Sequence, residues 1–198
     1  MSNEPKVDLY AHYMSVFSNG LRTASATDAG GATIPLDTAV RSIGAQMRAC
    51  HDGGRRIMLV GNGGSAGICG HLATDFSKNG GMRATAFNDA SVLTCLGNDY
   101  GYEHVFAKQI EWHGVEGDML IAISSSGRSM NILNAVASAR KLKCIVITLS
   151  GFKPDNPLRT LGDTNIYFPS TEYGFVEVGH LAILHAALDI QMGWQGNV

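Results

Sequence analysis

Five short apolar runs, separated by amphipathic stretches of helix length, constrain the fold of this chain more than any other feature. From residue 56 onward they are IMLV, RATAF, DMLIAIS, KCIVITL and TNIYF. Buried parallel strands read as continuous Val, Ile and Leu runs, and alternation of such runs with helices is typical of βαβ units. We therefore predict an α/β fold with a mostly parallel sheet of about five strands, flanked by helices on both faces.

Two helical patterns precede the predicted sheet. In the first, apolar side chains recur at helical spacing at Tyr10, Tyr13, Met14, Phe17 and Leu21. The same spacing returns from Leu36 to Cys50. Apolar positions three and four residues apart form one face of a helix, so both segments are predicted to pack as amphipathic helices.

A third helical pattern closes the sequence, over roughly residues 172–191. Between the two N-terminal helices, residues 25–33 form a Gly/Ala/Thr-rich stretch that is typical of a linker. We therefore expect an N-terminal helix and linker at residues 1–34 and one α/β domain at residues 35–195. The length of 198 residues suits a single domain.

The charge balance argues against two classes of partner. The formal net charge is −2 and 16% of the residues are charged, so we expect no attraction to nucleic acid or to an anionic membrane. The apolar runs are far shorter than the roughly 20 residues of a membrane span, and the N-terminus does not resemble a secretory signal. Four cysteines without a CxxC pair favour a reduced protein in the cytoplasm.

Two Gly- and Ser-rich loops each follow a predicted strand and precede a predicted helix. They are GNGGS at residues 61–65 and SSSGRS at residues 124–129. Backbone N–H groups, hydroxyls and a helix N-terminus can together hold a phosphate without a lysine cluster. Neither loop matches the P-loop or the full dinucleotide fingerprint, and either one alone is often a simple helix cap. As a pair at strand ends, they predict a phosphate-binding site.

Polar side chains on two predicted helices are candidates for proton transfer or metal binding. His71 and Asp75 lie at i and i+4 on the helix after the first loop, so they share one face. On the last helix, Glu177 and His185 are about 80° apart around the helix axis and can face a common ligand. His180 lies about 140° from His185 and is left out of this set. The alternative for each is an ordinary hydrogen-bonded group.

In this order and spacing, the motifs make the chain resemble the sugar isomerase (SIS) domain superfamily, and within it the phosphoheptose isomerases. The resemblance runs from about residue 36 to residue 190. It depends on GNGGS (61–65), His71 with Asp75, LGNDYGYE (96–103), GDMLIAISSSGRS (117–129) and EVGHLAILH (177–185). It implies that the α/β fold is a single SIS domain.

The resemblance also implies an activity. The expected reaction converts sedoheptulose 7-phosphate into a heptose 7-phosphate through an enediol, for heptose biosynthesis. A base, an acid and a group that stabilises the oxyanion are needed for such an aldose–ketose isomerisation. The family further implies a zinc ion and a homotetramer whose sites are completed by neighbouring subunits.

Roles follow for the positions that match the family's motifs. The implied metal ligands are His71, Asp75, Glu177 and His185. Proton transfer is implied for Asp75 and His185, and Glu177 is also expected to bind substrate. The residues implied to hold the phosphate and adjoining hydroxyls are Asn62, Gly63, Gly64, Ser65, Ser124, Ser125, Ser126 and Ser129. Asn98 and Asp99 are implied to contact the sugar.

The chain departs from the family pattern near the expected site. Asp75 stands where the family usually has glutamate, and Glu177 where it has glutamine. Because aspartate is one methylene shorter, we hypothesise that the basic role is shared with Glu177 or has moved to it. Residues 76–82 form a shorter segment than the family's, and Arg128 replaces an asparagine, either as a cation near the phosphate or as a surface arginine. These changes leave the identity of the sugar open.

Three other functions are alternatives to the heptose isomerase. A non-catalytic SIS scaffold that binds a replication-initiator-type partner has lost the catalytic residues, whereas this chain keeps metal-competent side chains at all four positions. Another SIS enzyme, acting on a pentose or amino-sugar phosphate, stays open. A zinc hydrolase is disfavoured because the sequence contains neither HExxH nor a nucleophile elbow.

Overall fold

Within residues 8–196, the part of the chain that this computed structural model describes, seven strands form one sheet. In chain order they are β1 (Ser25–Asp28), β2 (Thr33–Ile34), β3 (Ile57–Val60), β4 (Ala84–Ala86), β5 (Met119–Ser124), β6 (Ile145–Ser150) and β7 (Thr164–Tyr167). The α-helices are α1 (Leu9–Thr23), α2 (Leu36–Asp52), α3 (Gly64–Lys78), α4 (Ala90–Tyr100), α5 (Val105–His113), α6 (Met130–Lys141) and α7 (Tyr173–Gln191).

The five predicted apolar runs form the parallel part of the sheet. The strand order is β2-β1-β7-β6-β5-β3-β4, and β3 to β7 run parallel to one another. Each run is short and rich in β-branched and aliphatic residues, which fit a pleated surface that is covered on both sides. The α/β fold and its mostly parallel sheet are therefore confirmed, with two more strands than the sequence predicted.

The two additional strands, β1 and β2, span residues 25–34 and so occupy the stretch 25–33 that we expected to be a linker; that expectation is wrong. Strand β1 pairs antiparallel with both β2 and β7, and Ala26 lies opposite Ile34 and Ile166. The Asp28 carboxylate closes the hairpin by accepting hydrogen bonds from the backbone N–H groups of Gly30 and Ala32, each at 2.9 Å. A Gly/Ala/Thr composition suits a linker, but small side chains also fit a sheet edge. The domain boundary at residue 34 stays a prediction.

Successive residues of the parallel strands serve two hydrophobic cores, because side chains alternate between the faces of a sheet. Leu59 and Ile121 face the core formed with α2, α3 and α7. Met58 and Leu120 face the core formed with α4, α5 and α6. All four side chains are fully buried. Helices on both faces are what the strand pattern predicted.

The three predicted helices correspond to α1, α2 and α7. In α1, the predicted apolar stripe is divided between two environments: Phe17 and Leu21 pack against the core, whereas Leu9 and Tyr10 are 75% and 74% exposed. The described residues contain no helix with both the length and the hydropathy required to span a membrane.

The strand order reverses direction at β3, and this reversal positions the candidate site. Strand β4 joins one side of β3, and the chain then returns to place β5 on the other side. The loops that follow β3 and β5 therefore leave neighbouring strand ends in opposite directions. Open α/β sheets bind their ligands at such a switch point.

Candidate active site

The two Gly- and Ser-rich loops line one cleft at the switch point. Its volume is about 330 Å³. The lining includes every residue that the sequence assigned to the phosphate: Asn62, Gly63, Gly64, Ser65, Ser124, Ser125, Ser126 and Ser129. Ile123, Tyr173 and Glu177 complete it. The structure thus brings the two loops together, and among the described residues no lysine or arginine lines the cleft.

The backbone of the first loop depends on its glycines. Gly63 precedes α3 with a φ of 53°, a conformation that residues with a Cβ rarely adopt. A Cβ on Gly61 would lie 2.8 Å from the backbone of Ser65, so the turn can close this tightly only with glycine. The turn brings the N-terminus of α3 to the cleft, where its unpaired N–H groups and partial positive charge favour an anion.

The second loop holds its hydroxyls close together. Ser124 Oγ lies 3.3 Å from Ser129 Oγ and accepts a hydrogen bond from the backbone N–H of Gly127 at 3.2 Å. Gly127 has a φ of 63° and packs against the side chain of Asn156, so it too requires glycine. Ser124 and Ser125 are buried. The loop presents several neutral donors over a short arc, which is what phosphate binding requires.

His71, Asp75 and His185 form a compact cluster between α3 and α7, and one ligand atom from each lies within 4.8 Å of the other two. Asp75 Oδ2 lies 3.0 Å from His71 Nε2 and 3.6 Å from His185 Nε2. The two Nε2 atoms are 3.2 Å apart. Three of the four predicted metal ligands are therefore in contact, although His185 is far from the other two in sequence.

The cluster has the chemistry and spacing of a metal site. A tetrahedral zinc ion with Zn–N distances of about 2.0–2.1 Å separates its donors by roughly 3.3 Å, in line with the distances in the cluster. Asn79 Nδ2 donates to Asp75 Oδ1 at 3.2 Å, which leaves Oδ2 to face the two histidines. Such outer hydrogen bonds orient metal ligands in proteins. Asn79 belongs to the segment of residues 76–82 that directly follows Asp75.

Glu177, the fourth predicted ligand, is not part of this cluster. Its carboxylate lies against Gly64 in the phosphate cleft. Glu177 and His185 are eight residues apart on α7, a rise of about 12 Å. Facing a similar direction is therefore not enough for both to reach one ion. The sequence analysis placed Glu177 among the metal ligands, but in the structure its carboxylate lies apart from the other three.

In the LGNDYGYE motif, the residue that contacts the cleft is Tyr102, which the sequence analysis did not single out. Asn98 and Asp99 are exposed near the end of α4, do not line the cleft, and hydrogen-bond each other at 2.8 Å. Tyr102 instead donates its hydroxyl to Asn62 Oδ1 at 3.1 Å. The sequence alone gave no signal for this contact, because the two residues belong to different loops.

Two further residues sharpen the sequence-based assignments. Tyr173 lines the cleft one helical turn before Glu177, and this i, i+4 spacing was the signal in the sequence that could have identified it.

Arg128 does not line the cleft. Its guanidinium lies 3.7 Å from the Asp155 carboxylate and is half exposed, which favours a surface arginine over a cation that binds phosphate.

His180 lies in the core and outside the cluster. Its side chain is fully buried and its Nε2 lies 3.0 Å from the carbonyl oxygen of Ser150, while Nδ1 has no partner among the described residues. Burial lowers the pKa of His180 to about 4. The imidazole is therefore neutral near pH 7, and Nε2 carries the proton that it donates to Ser150.

A phosphate-type cleft at the switch point, next to a cluster of two imidazoles and a carboxylate, defines an α/β domain of the sugar isomerase class. A family model described as the SIS domain matches residues 32–151. The chain belongs to the SIS domain family, and within it to the phosphoheptose isomerases.

Named relatives and solved structures support that placement. The phosphoheptose isomerase of Bradyrhizobium sp. (strain BTAi1 / ATCC BAA-1182) is 39% identical over 171 residues, which cover 82% of this chain and 79% of the relative. The enzyme of the same name from Helicobacter hepaticus is 37% identical, with coverage of 73% and 78%. The structure of phosphoheptose isomerase GmhA from Neisseria gonorrhoeae superposes with a TM-score of 0.80 at 29% identity, covering 94% of this chain and 98% of that one.

Proposed function

We propose that this protein is an aldose–ketose isomerase that converts sedoheptulose 7-phosphate into a heptose 7-phosphate. The observation that carries the proposal is that α3 and α7 each contribute to both the phosphate cleft and the His71, Asp75 and His185 cluster. Ser65 lies near the start of α3 and His71 six residues later, a rise of about 9 Å. An extended sugar phosphate whose phosphate is held by the two loops can therefore place its C1 and C2 carbons between Glu177, which borders the cleft, and the cluster.

The cleft suits the phosphate end of such a substrate. Its donors are hydroxyls and backbone N–H groups, which bind a dianion without the bulk of basic side chains. The conversion then takes place at C1 and C2. A base removes a proton from C1, the C2 oxygen gains a proton, and the enediol is completed to the aldose when C2 receives a proton and the C1 hydroxyl loses one.

We further propose that the cluster holds zinc through His71, Asp75 and His185. Two imidazoles and a carboxylate are typical ligands of catalytic zinc, which keeps a further position open for substrate. When bound, the ion would polarise the carbonyl oxygen and stabilise the charge that develops on it. Asn79 would support the site by fixing the Asp75 carboxylate.

We propose that the carboxylates of Asp75 and Glu177 have different roles, one in metal binding and the other in proton transfer. Both oxygens of Asp75 are engaged, Oδ1 by Asn79 and Oδ2 by the histidines, which suits a metal ligand. Glu177 makes no side-chain hydrogen bond or ion pair with another described residue and lines the cleft. We therefore assign proton abstraction to Glu177, and metal binding to Asp75 together with His71 and His185.

Exchange of solvent deuterium into sedoheptulose 7-phosphate tests the activity directly. Purified protein loaded with zinc is expected to label C1 of the ketose and C2 of the aldose product, as followed by NMR. Labelling of a pentose or amino-sugar phosphate in place of the heptose would show another SIS isomerase. Absence of exchange with all of these substrates, with and without zinc, would identify a scaffold and contradict the proposal.

Paired variants test the division of roles. Glu177→Gln is expected to keep stoichiometric zinc but to lose at least about a hundredfold in turnover, the scale of a general base. Asp75→Asn is expected to lose zinc and turnover together. If Glu177→Gln retains full turnover, Glu177 is not the base. If it loses zinc, the fourth-ligand assignment drawn from the sequence is correct.

A homotetramer is also proposed. Support comes from the apolar side of α1, where Leu9, Tyr10 and Tyr13 are more than half exposed and Met14 and Val16 nearly so. Contiguous exposed apolar surface of this kind is typical of a protein interface. Asn98 and Asp99 lie outside the cleft of their own chain, which is consistent with a role in a neighbouring subunit's site.

A cytoplasmic location is proposed from the state of the cysteines. All four are free, and Cys50, Cys69 and Cys144 are buried. Burial raises the pKa of the Cys50 thiol to about 11 and that of Cys69 to about 12. Protonated, buried thiols are stable in a reducing compartment, which is where proteins without disulfides are usually found.

A further inference from the structure

The side-chain amide of Asn62 is held by two residues, Asn131 and Tyr102, to which the motifs assign no role. Asn131 Nδ2 donates to Asn62 Oδ1 at 2.8 Å, and Asn62 Nδ2 donates back to Asn131 Oδ1 at 2.9 Å. The hydroxyl of Tyr102 donates to the same Asn62 Oδ1 at 3.1 Å. Asn62 also lines the phosphate cleft. Its orientation in that cleft is therefore determined from outside the first loop.

Asn131 is placed to connect the two loops of the cleft. It lies in the first turn of α6, directly after the second loop, and is only 3% exposed. Asn62 lies in the first loop, 69 residues earlier. The reciprocal amide pair is thus a direct side-chain link between the loop after β3 and the helix after β5.

The hydrogen bonds leave one defined group free. A carbonyl oxygen has two lone pairs, and Asn131 and Tyr102 use both of those on Asn62 Oδ1. An amide nitrogen has two N–H groups, and Asn131 accepts one of them. Asn62 is therefore left with a single N–H and no free acceptor, so its side chain can meet a ligand only as a donor.

We propose that Asn131 and Tyr102 are positioning residues that hold the Asn62 amide with its remaining N–H presented to an oxygen of the bound sugar phosphate. The inference rests on the proposed function of the cleft. A freely rotating amide could turn its carbonyl oxygen towards the phosphate, where it would repel the anion. The amide pair prevents this, so a substrate-binding role in the first loop depends on a residue of α6.

A double-mutant cycle on binding tests the proposal, because residues that act as one unit have non-additive effects. The affinity for sedoheptulose 7-phosphate is measured by calorimetry in the wild type, Asn62→Ala, Asn131→Ala and the double variant. Each single change is expected to weaken binding about tenfold, within the range of coupled neighbours. The double variant is expected to bind no more weakly than either single variant.

Two more variants separate positioning from a general loss of structure. Asn131→Asp preserves the size of the side chain but cannot donate to Asn62 Oδ1, so it should weaken binding at least as much as Asn131→Ala. Tyr102→Phe changes an exposed side chain that should not affect folding, and it is expected to weaken binding about threefold in the wild type but not in Asn62→Ala. The control Lys141→Ala changes an exposed side chain in the last turn of α6 and should bind within twofold of the wild type.

The outcomes are distinguishable from failure of the proposed function. Tight binding of sedoheptulose 7-phosphate without solvent exchange would overturn the isomerase and leave the coupling measurable. Additive losses in the two cycles, or wild-type affinity in Asn131→Asp, would overturn the positioning role. If the wild type binds neither sedoheptulose 7-phosphate nor inorganic phosphate, the cleft is not a phosphate site and the inference fails with it.

Discussion

The carboxylate of Glu177 lies against the α-carbon of Gly64, in the space that a Cβ on residue 64 would occupy. This contact joins the start of α3 to the first turns of α7 across the phosphate cleft. It also explains why residue 64 must lack a side chain even though its backbone is helical. Glycine here serves the close approach of a carboxylate rather than an unusual φ angle.

Gly64→Ala is therefore expected to displace Glu177 and to weaken sugar phosphate binding about tenfold, since overpacking of this kind costs about 1–3 kcal/mol. Calorimetry with sedoheptulose 7-phosphate measures the effect. The matched control is Gly67→Ala on the same helix, where a Cβ meets nothing within 4 Å. It should retain wild-type affinity and gain about 0.5–1 kcal/mol of stability. Equal behaviour of the two variants would show that the Glu177 contact is irrelevant to binding.

Metal binding should depend on the three clustered side chains and on Asn79. His71→Ala and His185→Ala are each expected to lose stoichiometric zinc after dialysis, measured by elemental analysis. Asn79→Ala should weaken zinc binding about 10–100-fold, as measured with a competing chelator, because it releases the Asp75 carboxylate. His113→Ala, at the exposed end of α5, is the control. Stoichiometric zinc in His71→Ala would contradict the assignment.

Acid should destabilise the fold through His180. Its pKa is lowered to about 4 in the folded protein by burial, against about 6.5 in the unfolded chain. Between these values the unfolded state binds a proton that the folded state does not, so stability falls as the pH drops from about 6.5 to 4. The total loss is about 3 kcal/mol, since one pKa unit corresponds to about 1.4 kcal/mol.

Urea unfolding at several pH values measures this loss. His180→Gln can keep a hydrogen bond to the Ser150 carbonyl but has no proton to gain, so its stability should vary less between pH 6.5 and 4. Carboxylates such as Asp89 and Glu111, whose pKa values are lowered by hydrogen bonds from Ser91 and Lys108 respectively, lose their contribution mainly at the acid end. If the stability of His180→Gln falls with pH near pH 6 as steeply as that of the wild type, His180 is not the group responsible for the loss.

The apolar side of α1 should carry a subunit contact. The double change Leu9→Glu and Tyr10→Glu places two charges on this surface and is expected to reduce the assembly to smaller species, as observed by sedimentation velocity. Ser15→Glu lies on the opposite side of the same helix and should leave the assembly intact. A wild-type protein that sediments as a monomer would refute the tetramer itself.

The local pattern of the sequence was sufficient for the parallel strands, for α1, α2 and α7, and for the meeting of the two Gly- and Ser-rich loops in one cleft. That this cleft binds phosphate stays a prediction. Strand runs and helix faces are properties of neighbouring residues, and loops at strand ends meet wherever parallel strands do. The pattern failed for residues 25–33, because the strand there depends on the pairing of Ala26 with Ile166 of a distant strand and on its burial in the core.

By itself the sequence determined which residue types are available: hydroxyls and glycines after two strands, and imidazoles and carboxylates on two helices. Only the tertiary structure decided how they combine. Asp75 joins His185 because α3 packs against α7, whereas Glu177 is separated from His185 by the rise of the helix and faces Gly64. Asn131 reaches Asn62 across 69 residues because the strands that precede them, β5 and β3, are paired. Such contacts depend on how elements pack, and packing is decided by the whole core rather than by any one segment.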